Sequence, residues 1–172
     1  RELVFGKESE LVAAGRVATT QTVGGSGALR VGAELLAHTL PHATVAISNP
    51  SWENHRAVFT AAGFTVVDYT YFDAASHGLD FDGMLADLAR LEPGTTVLLH
   101  ACCHNPTGAD LTEAQWKQVA ALLKERQLFP FIDMAYQGFD KGISEDGVAV
   151  RIVAAAGIDS FIVANSYSKS FS

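Results

Sequence analysis

The stretch that decides the fold is residues 96–133, TVLLHACCHNPTGADLTEAQWKQVAALLKERQLFPFID. It opens with a short apolar run at 96–100, which is typical of a buried strand. Thr112 and Gln115 then form a capping-box pattern ahead of an amphipathic segment, which predicts a helix. A second apolar run follows at 129–133. Because strands joined by a crossover helix run parallel in one sheet, this stretch predicts a β-α-β unit.

The same alternation of strands and helices continues on both sides of this unit. The candidate strands are 17–22, 44–48, 65–69, 96–100, 129–133 and 160–164. The candidate helices are 27–40, 52–62, 82–91, 112–126 and 145–156. Such alternation favours an α/β fold with a mostly parallel sheet that carries helices on both faces. No repeat, linker or low-complexity tract divides the 172 residues, so we expect one compact unit.

Composition and charge exclude several classes of protein. Hydrophobic residues make up 48% of the chain and charged residues 18%, which excludes a disordered chain. The formal net charge is −7, and Lys and Arg form no cluster, so we expect no nucleic-acid partner. No apolar run is long enough to cross a bilayer, so we expect no membrane partner. The two cysteines, Cys102 and Cys103, are adjacent, which is typical of a reducing compartment and predicts a cytoplasmic protein.

Residue types that carry chemistry follow five of the predicted strands. Ligands of open α/β sheets bind at the carboxyl ends of the strands, so these positions predict the functional site. They are Gly24-Gly25-Ser26-Gly27, Asn49-Pro50-Ser51-Trp52, Cys102-Cys103-His104-Asn105, Asp133 with Tyr136, and Ser166-Tyr167-Ser168-Lys169. Each stretch also has a simple structural interpretation, such as a turn, a helix cap or a surface lysine. Their joint occurrence at successive strand ends favours a single functional site.

Two of these stretches leave alternatives open. The glycine stretch at 24–27 lacks the third glycine of the dinucleotide fingerprint and the Gly-Lys-Ser/Thr ending of a P-loop. It is either a tight turn or a phosphate site at the start of a helix. His100, Cys102, Cys103 and His104 are residue types that bind metals, but they crowd at one strand end without a second separated pair. We therefore predict no metal site.

Five motifs, taken in order along the chain, resemble those of a known enzyme family. They are Gly24-Gly25-Ser26-Gly27-Ala28-Leu29-Arg30, Asn49-Pro50-Ser51-Trp52-Glu53-Asn54-His55, His104-Asn105-Pro106-Thr107-Gly108, Asp133 with Ala135-Tyr136-Gln137-Gly138-Phe139, and Ser166-Tyr167-Ser168-Lys169. The family is the class I, fold-type I aspartate/aromatic amino-acid aminotransferases, which use pyridoxal 5'-phosphate (PLP). The segment from Cys102 to Asp110 is nearer to the aromatic branch. The resemblance implies the fold of the large domain of PLP-dependent transferases.

The resemblance also implies a catalytic role for Lys169. It would carry the cofactor as an imine and, once freed by the substrate, move the substrate's proton. Asp133 would pair with the pyridine nitrogen and keep it protonated, so that the ring can accept electrons. Tyr136 and Asn105 would hydrogen-bond the 3-oxygen of the ring. Two histidines would lie behind Asp133 and support its carboxylate: His55 and His100.

Further contacts with the cofactor and the substrate follow from the same resemblance. Trp52 would stack on the cofactor ring and fix its plane. Three residues would hold the phosphate: Gly25, Ser26 and Ser166. Trp52 and Asn105 are also expected to contact the substrate.

The family pattern extends beyond these 172 residues. The resemblance implies that residues 1–172 are part of the PLP-binding large domain. The small substrate-closing domain, the arginines that bind the substrate carboxylates and the native termini would lie outside this chain. The family also implies a homodimer. We expect the isolated 172 residues to bind the cofactor weakly and not to transaminate.

The leading prediction is a PLP-dependent aminotransferase that acts on an aromatic or dicarboxylic amino acid with 2-oxoglutarate or another 2-oxo acid. Two alternatives remain open. A β-lyase or decarboxylase of the same fold would use the same cofactor contacts. An aminotransferase-like domain could also serve as the sensor of a transcription regulator, but these residues show no helix-turn-helix and their acidity does not favour DNA binding.

Overall fold

The computed structural model describes residues 1–40 and 43–171. In chain order, the elements are α1 (Glu2–Phe5), α2 (Glu10–Ala13), α3 (Gly24–Thr39), β1 (Thr44–Asn49), α4 (Glu53–Ala61), β2 (Thr65–Thr70), β3 (Phe72–Asp73), β4 (Gly78–Leu79), α5 (Phe81–Leu88), β5 (Thr96–His100), α6 (Glu113–Glu125), β6 (Phe129–Met134), a 3₁₀ turn (Glu145–Gly147), α7 (Val148–Ala155) and β7 (Ile162–Asn165). None of the helices in these two ranges combines the length and the apolar character that a bilayer crossing requires.

Five strands form one sheet in the order β2-β1-β5-β6-β7, and every neighbouring pair is parallel. The predicted α/β fold is therefore confirmed. His100 at the end of β5 pairs with Asp133 of β6, and Asp133 pairs with Ala164 of β7. Because these strands run parallel and in step, the segments that follow them emerge at the same edge of the sheet.

Helices cover both faces of the sheet. On one face, α5, α6 and α7 bury a cluster that includes Met84 and Trp116. On the other face, α3 and α4 bury a second cluster that includes Leu29 and Phe59. Successive residues of β6 point to opposite faces, so Ile132 joins the first cluster and Phe131 joins the second. The apolar runs read from the sequence are thus explained by a sheet that is buried on both sides.

The predicted strand at 17–22 is wrong. Within the described part of the chain, residues 17–22 belong to no sheet ladder and lead directly into α3. Their β-branched composition favours an extended backbone, but most of them are exposed, and a strand also needs a neighbouring strand. The short antiparallel pair β3 and β4 was not predicted. The other predicted strands and helices are present with slightly different ends, and the helix predicted at 145–156 divides into the 3₁₀ turn and α7.

Helix ends follow the local chemistry of the sequence. The Thr112 hydroxyl accepts the Gln115 N–H at 3.3 Å, and the Gln115 side-chain oxygen accepts the Thr112 N–H at 2.8 Å. This confirms the capping box at the start of α6. Gly63 (φ 92°) and Gly157 (φ 71°) follow α4 and α7 in the left-handed region, which glycine adopts without a steric penalty.

Gly32 sets the distance between α3 and the sheet. A Cβ atom at this position would lie 2.6 Å from Cζ and 2.7 Å from Cε2 of Phe131 in β6. Phe131 is fully buried, and its ring packs edge-on against Phe59 with the ring centres 5.3 Å apart. The Phe131 ring therefore has little room to move, and α3 approaches β6 this closely because Gly32 has no side chain.

We expect Gly32→Ala to lower the free energy of unfolding by about 1–3 kcal/mol, because the added methyl group overpacks the core. The measurement is urea unfolding of the intact protein, with any flanking sequence it carries, followed by circular dichroism. Gly27→Ala is the matched control on the same helix, since a Cβ there would lie 3.5 Å from the Cβ atoms of Thr22 and Val23. The control should be neutral or stabilising by up to about 1 kcal/mol. Equal stability of both variants would contradict the steric argument.

Candidate functional site

A cavity of about 290 Å³ opens at the carboxyl ends of the parallel strands. The first turn of α3 and the segments that follow β1, β5, β6 and β7 form its walls. The structure brings nine of the predicted site residues to this cavity: Gly25, Ser26, Trp52, His100, Asn105, Asp133, Tyr136, Ser166 and Lys169. In particular, Asp133 near the end of β6 and Lys169 in the segment after β7 share one cavity, although they come from different strand ends.

Asp133 is held from behind by a buried histidine. Only 8% of Asp133 is exposed, and its Oδ2 lies 2.9 Å from Nε2 of His55, which is fully buried on α4. A carboxylate only accepts hydrogen bonds, so Nε2 of His55 carries the proton in this contact. The other ring nitrogen, Nδ1, lies 2.9 Å from the Ser51 hydroxyl. In a ring with one proton, Nδ1 accepts from Ser51, and the contact fixes the tautomer that serves Asp133.

Behind His55, further aromatic rings pack against one another in a row. The His55 ring stands edge-on to His100, with the ring centres 4.9 Å apart, and His100 stacks on His104 at 4.1 Å. Tyr71 stacks on the far side of His104 at 3.9 Å. Nε2 of His100 also lies 3.4 Å from the Ser51 hydroxyl, so this hydroxyl is shared between two histidines.

Two of these histidines are uncharged at neutral pH. Burial, with smaller effects of His104 and His55, holds the pKa of His100 well below the usual value. Burial, followed by the effect of His55, lowers the pKa of His104 from 6.5 to about 4. The rings therefore act through hydrogen bonds and packing, and they bring no positive charge to the wall behind Asp133.

The start of α3 faces the loop that follows β7. A Cβ atom on Gly25 would lie 3.1 Å from Cβ of Ser166, so this close approach depends on the glycine. Val23, the residue before the helix, has no side-chain oxygen to cap the first-turn N–H groups. These N–H groups and the hydroxyls of Ser26 and Ser166 thus border one end of the cavity and suit an anion.

The Lys169 amine lies at the open side of the cavity. Its Nζ atom is 4.4 Å from the ring centre of Tyr136, and the residue is exposed. The ring face attracts the ammonium group and keeps it beside the cavity wall. The lysine loop is anchored on one side by the Ser170 hydroxyl, which donates to the Gln137 carbonyl at 2.7 Å.

A family model described as "Aminotransferase class I and II" matches residues 2–172. The chain belongs to this aminotransferase family. The family predicted from the five motifs is thereby confirmed.

Curated relatives of this aminotransferase chain carry two kinds of name. The chain is 60% identical over 172 residues to "Aspartate aminotransferase" of Pseudomonas aeruginosa and 51% identical over 170 residues to "Aromatic-amino-acid aminotransferase" of Escherichia coli K12. The alignments cover 100% and 99% of this chain, but 43% of each relative. The chain thus spans less than half the length of these relatives.

A solved structure shares the fold of this aminotransferase chain. It is an aromatic-amino-acid aminotransferase from Burkholderia pseudomallei, covalently bound to pyridoxal phosphate. The TM-score is 0.97 at 58% sequence identity, and the match covers 99% of this chain and 42% of the other.

Sequence reasoning gave no role to several residues of the site in this aminotransferase chain. Leu29, Cys102 and Ser168 line the cavity, but the sequence placed them only within longer motifs. Ser51 was not predicted to contact His55, although its spacing of four residues from His55 at a helix start is a usable signal. His104 was considered as a metal ligand, which was rejected, and as part of a family motif without a role of its own. No local pattern reveals that its ring lies between two other rings, because Tyr71 belongs to a distant part of the chain.

The buried histidines predict a pH-dependent stability. Between pH 6.5 and about 4, the unfolded chain binds a proton at His104 that the folded chain does not bind. We therefore expect the free energy of unfolding to fall as the pH falls through this range. His104 alone would account for a loss on the order of 3 kcal/mol, since each pKa unit corresponds to about 1.4 kcal/mol.

Urea unfolding of the intact protein at several pH values between 7 and 4 checks this expectation. His104→Asn should reduce the dependence of stability on pH, because it removes the titrating ring. His38→Asn is the control, since His38 is exposed on α3. The explanation fails if both variants keep the slope of the unmodified protein.

Proposed function

We propose that this chain is the PLP-binding part of an aminotransferase. The reaction is the reversible transfer of an amino group between an aromatic or dicarboxylic amino acid and 2-oxoglutarate or another 2-oxo acid. One observation carries the proposal: the Asp133 carboxylate and the Lys169 amine line the same cavity at the carboxyl ends of β6 and β7. An acid and an amine placed in this way are the two groups that a pyridine aldehyde cofactor requires.

The groups around the cavity suit pyridoxal phosphate. The volume of about 290 Å³ lies near the lower end of the range for small-molecule sites. Asp133 offers an acceptor for a ring N–H, and Trp52 offers an aromatic face. The first-turn N–H groups of α3, including that of Gly25, and the hydroxyls of Ser26 and Ser166 offer donors for a phosphate.

When bound, the cofactor supplies an electron sink for the electron pair that remains on the substrate α-carbon when this carbon loses its proton. Asp133 keeps the ring nitrogen protonated, and His55 holds the Asp133 carboxylate in place through the 2.9 Å contact. Lys169 would hold the cofactor covalently in the resting state. Once the substrate has freed its Nζ atom, this amine would take the proton from the substrate α-carbon and pass it to the carbon on the cofactor side of the transferred nitrogen.

Tyr136 and Asn105 donate hydrogen bonds to the 3-oxygen of the cofactor in our proposal. Both residues line the cavity, and they follow different strands. Trp52 stacks on the ring and excludes water from one side of it. Trp52 and Asn105 also contact the substrate, whereas His100 supports the wall behind Asp133 through its edge-on packing against His55.

We further propose that residues 1–172 form part of the large domain of a longer protein. The support is that the chain corresponds to 43% of its curated relatives. The small domain and the arginines for the substrate carboxylates then lie outside this chain, and the isolated 172 residues do not transaminate. The resemblance to the family also supports a homodimer, and the two free, adjacent cysteines support a reducing compartment such as the cytoplasm.

Lys169→Ala in the intact protein tests the proposed reaction. We expect the unmodified protein with added PLP to transfer the amino group of glutamate or tyrosine, with a matching change in the absorbance of the bound cofactor. The variant should lose roughly 10³-fold or more in turnover, because it lacks the group that moves the proton. Lys117→Ala, at an exposed position on α6, is the control and should keep full turnover.

Two results would refute this assignment. One is undiminished turnover in Lys169→Ala. The other is release of carbon dioxide or ammonia from the amino acid in place of transfer to the 2-oxo acid, which would indicate a decarboxylase or a lyase.

Asp133→Asn tests the charge opposite the ring nitrogen. The amide has the shape of the carboxylate but no charge, so we expect PLP to bind at least about 10-fold more weakly, as for loss of a hydrogen bond to a charged group. The measurement is a cofactor titration followed by protein fluorescence. Asp73→Asn is the control, because Asp73 ends β3 and does not line the cavity, and this variant should bind PLP normally. An unchanged affinity of Asp133→Asn for PLP would contradict the proposed role of the carboxylate.

A further inference from the structure

His104 lies next to Asn105 but does not line the cavity. Its ring is 2% exposed and is enclosed between two other rings. The ring centre of Tyr71 is 3.9 Å away on one side, with the planes inclined by 15°, and that of His100 is 4.1 Å away on the other, inclined by 29°. A side chain packed in this way cannot reach a ligand in the cavity. Any influence on the site must act through its neighbours, which are Asn105 in the chain and His100 in the ring stack.

Both nitrogens of the His104 ring are hydrogen-bonded to hydroxyl groups. Nε2 lies 2.9 Å from the hydroxyl of Ser48, a buried residue of β1. Nδ1 lies 2.8 Å from the hydroxyl of Thr107, which belongs to the same loop as His104. Hydroxyl groups can donate or accept, so a neutral ring satisfies both contacts. The ring thus connects the loop after β5 to a strand of the sheet.

The main chain on both sides of Asn105 is fixed as well. Oδ1 of Asp110 accepts the His104 N–H at 2.8 Å, and Oδ2 accepts the Cys103 N–H at 2.6 Å. The His104 carbonyl accepts the Gly108 N–H at 2.7 Å, which closes the loop around Asn105. The Asn105 N–H points to Nδ1 of His100 at 3.4 Å. The hydrogen bonds of its neighbours therefore fix the position of Asn105, which lines the cavity.

We propose that His104 is a positioning residue, which holds the side chain of Asn105 at the cofactor 3-oxygen. Its ring joins the loop to Ser48 of β1 and braces the loop internally through Thr107. This inference rests on the proposed function, because it assumes that Asn105 contacts the cofactor. A hydrogen-bond donor at the 3-oxygen withdraws negative charge that would otherwise hold a proton on the nitrogen of Lys169. Displacement of Asn105 should therefore raise the pH at which the absorbance of the bound cofactor changes.

The test is a pH titration of the absorbance of the bound cofactor in the intact protein. His104→Phe keeps a flat ring between Tyr71 and His100 but loses both nitrogen contacts. We expect it to raise the titration midpoint by about one pH unit, as for loss of a hydrogen bond to a charged group. Asn105→Ala should raise the midpoint in the same direction. The double variant should show no more than the shift of Asn105→Ala alone, because both changes remove the same contact.

Two further variants separate positioning from general stability. Leu123→Ala removes a fully buried side chain of α6, away from the cavity, and should lower the melting temperature without moving the midpoint. His104→Gln can place an amide group near the position of Nε2 and bond to Ser48, so it should recover part of the midpoint shift.

The proposal is overturned if His104→Phe lowers the melting temperature but leaves the midpoint where it is in the unmodified protein, while Asn105→Ala raises it. If Asn105→Ala also leaves the midpoint unchanged, the assumed contact of Asn105 is wrong, and the positioning role is overturned with that part of the proposed function. If His104→Phe does not fold, Ser48→Ala and Thr107→Val each remove one ring contact, and an unchanged midpoint in both overturns the proposal.

Discussion

The site depends on one buried hydrogen bond, between Nε2 of His55 and Oδ2 of Asp133. A carboxylate that is 8% exposed loses most of its hydration, and such a group is stable only with a partner. His55 provides this partner from α4, while Asp133 belongs to β6, an interior strand of the sheet. The bond joins two elements that are far apart in the chain, so it forms only when the sheet and its helices are assembled.

The rest of the polar wall extends from this bond by direct contacts. The Ser51 hydroxyl lies 2.9 Å from Nδ1 of His55 and 3.4 Å from Nε2 of His100. His100 stacks on His104, and His104 stacks on Tyr71. Burial lowers the pKa of His100 and of His104, so these two rings are neutral and act through stacking and hydrogen bonds. Contacts of this kind reinforce one another and fix the orientation of the wall behind Asp133.

The same assembly brings the first turn of α3 and the Lys169 amine to the cavity. The helix α3 approaches the sheet because Gly32 and Gly25 leave room for Phe131 and Ser166. Lys169 follows the edge strand of the described sheet and remains accessible. Helices and strands thus position most of the groups that line the cavity, while Lys169 is on a loop. The fold is shared with an aminotransferase that is covalently bound to pyridoxal phosphate.

Much of this protein was determined by the sequence alone, because its patterns are local. Apolar runs and amphipathic periods predicted the parallel sheet, Thr112 with Gln115 predicted a helix start, and motifs at strand ends predicted the residues that line the cavity. Tertiary structure decided what depends on distant neighbours. Residues 17–22 have the composition of a strand but lack a pairing partner, and His104 has the residue type of a metal ligand but lies between two rings. A pairing partner and a stacked ring come from other parts of the chain, so no window of sequence reveals them.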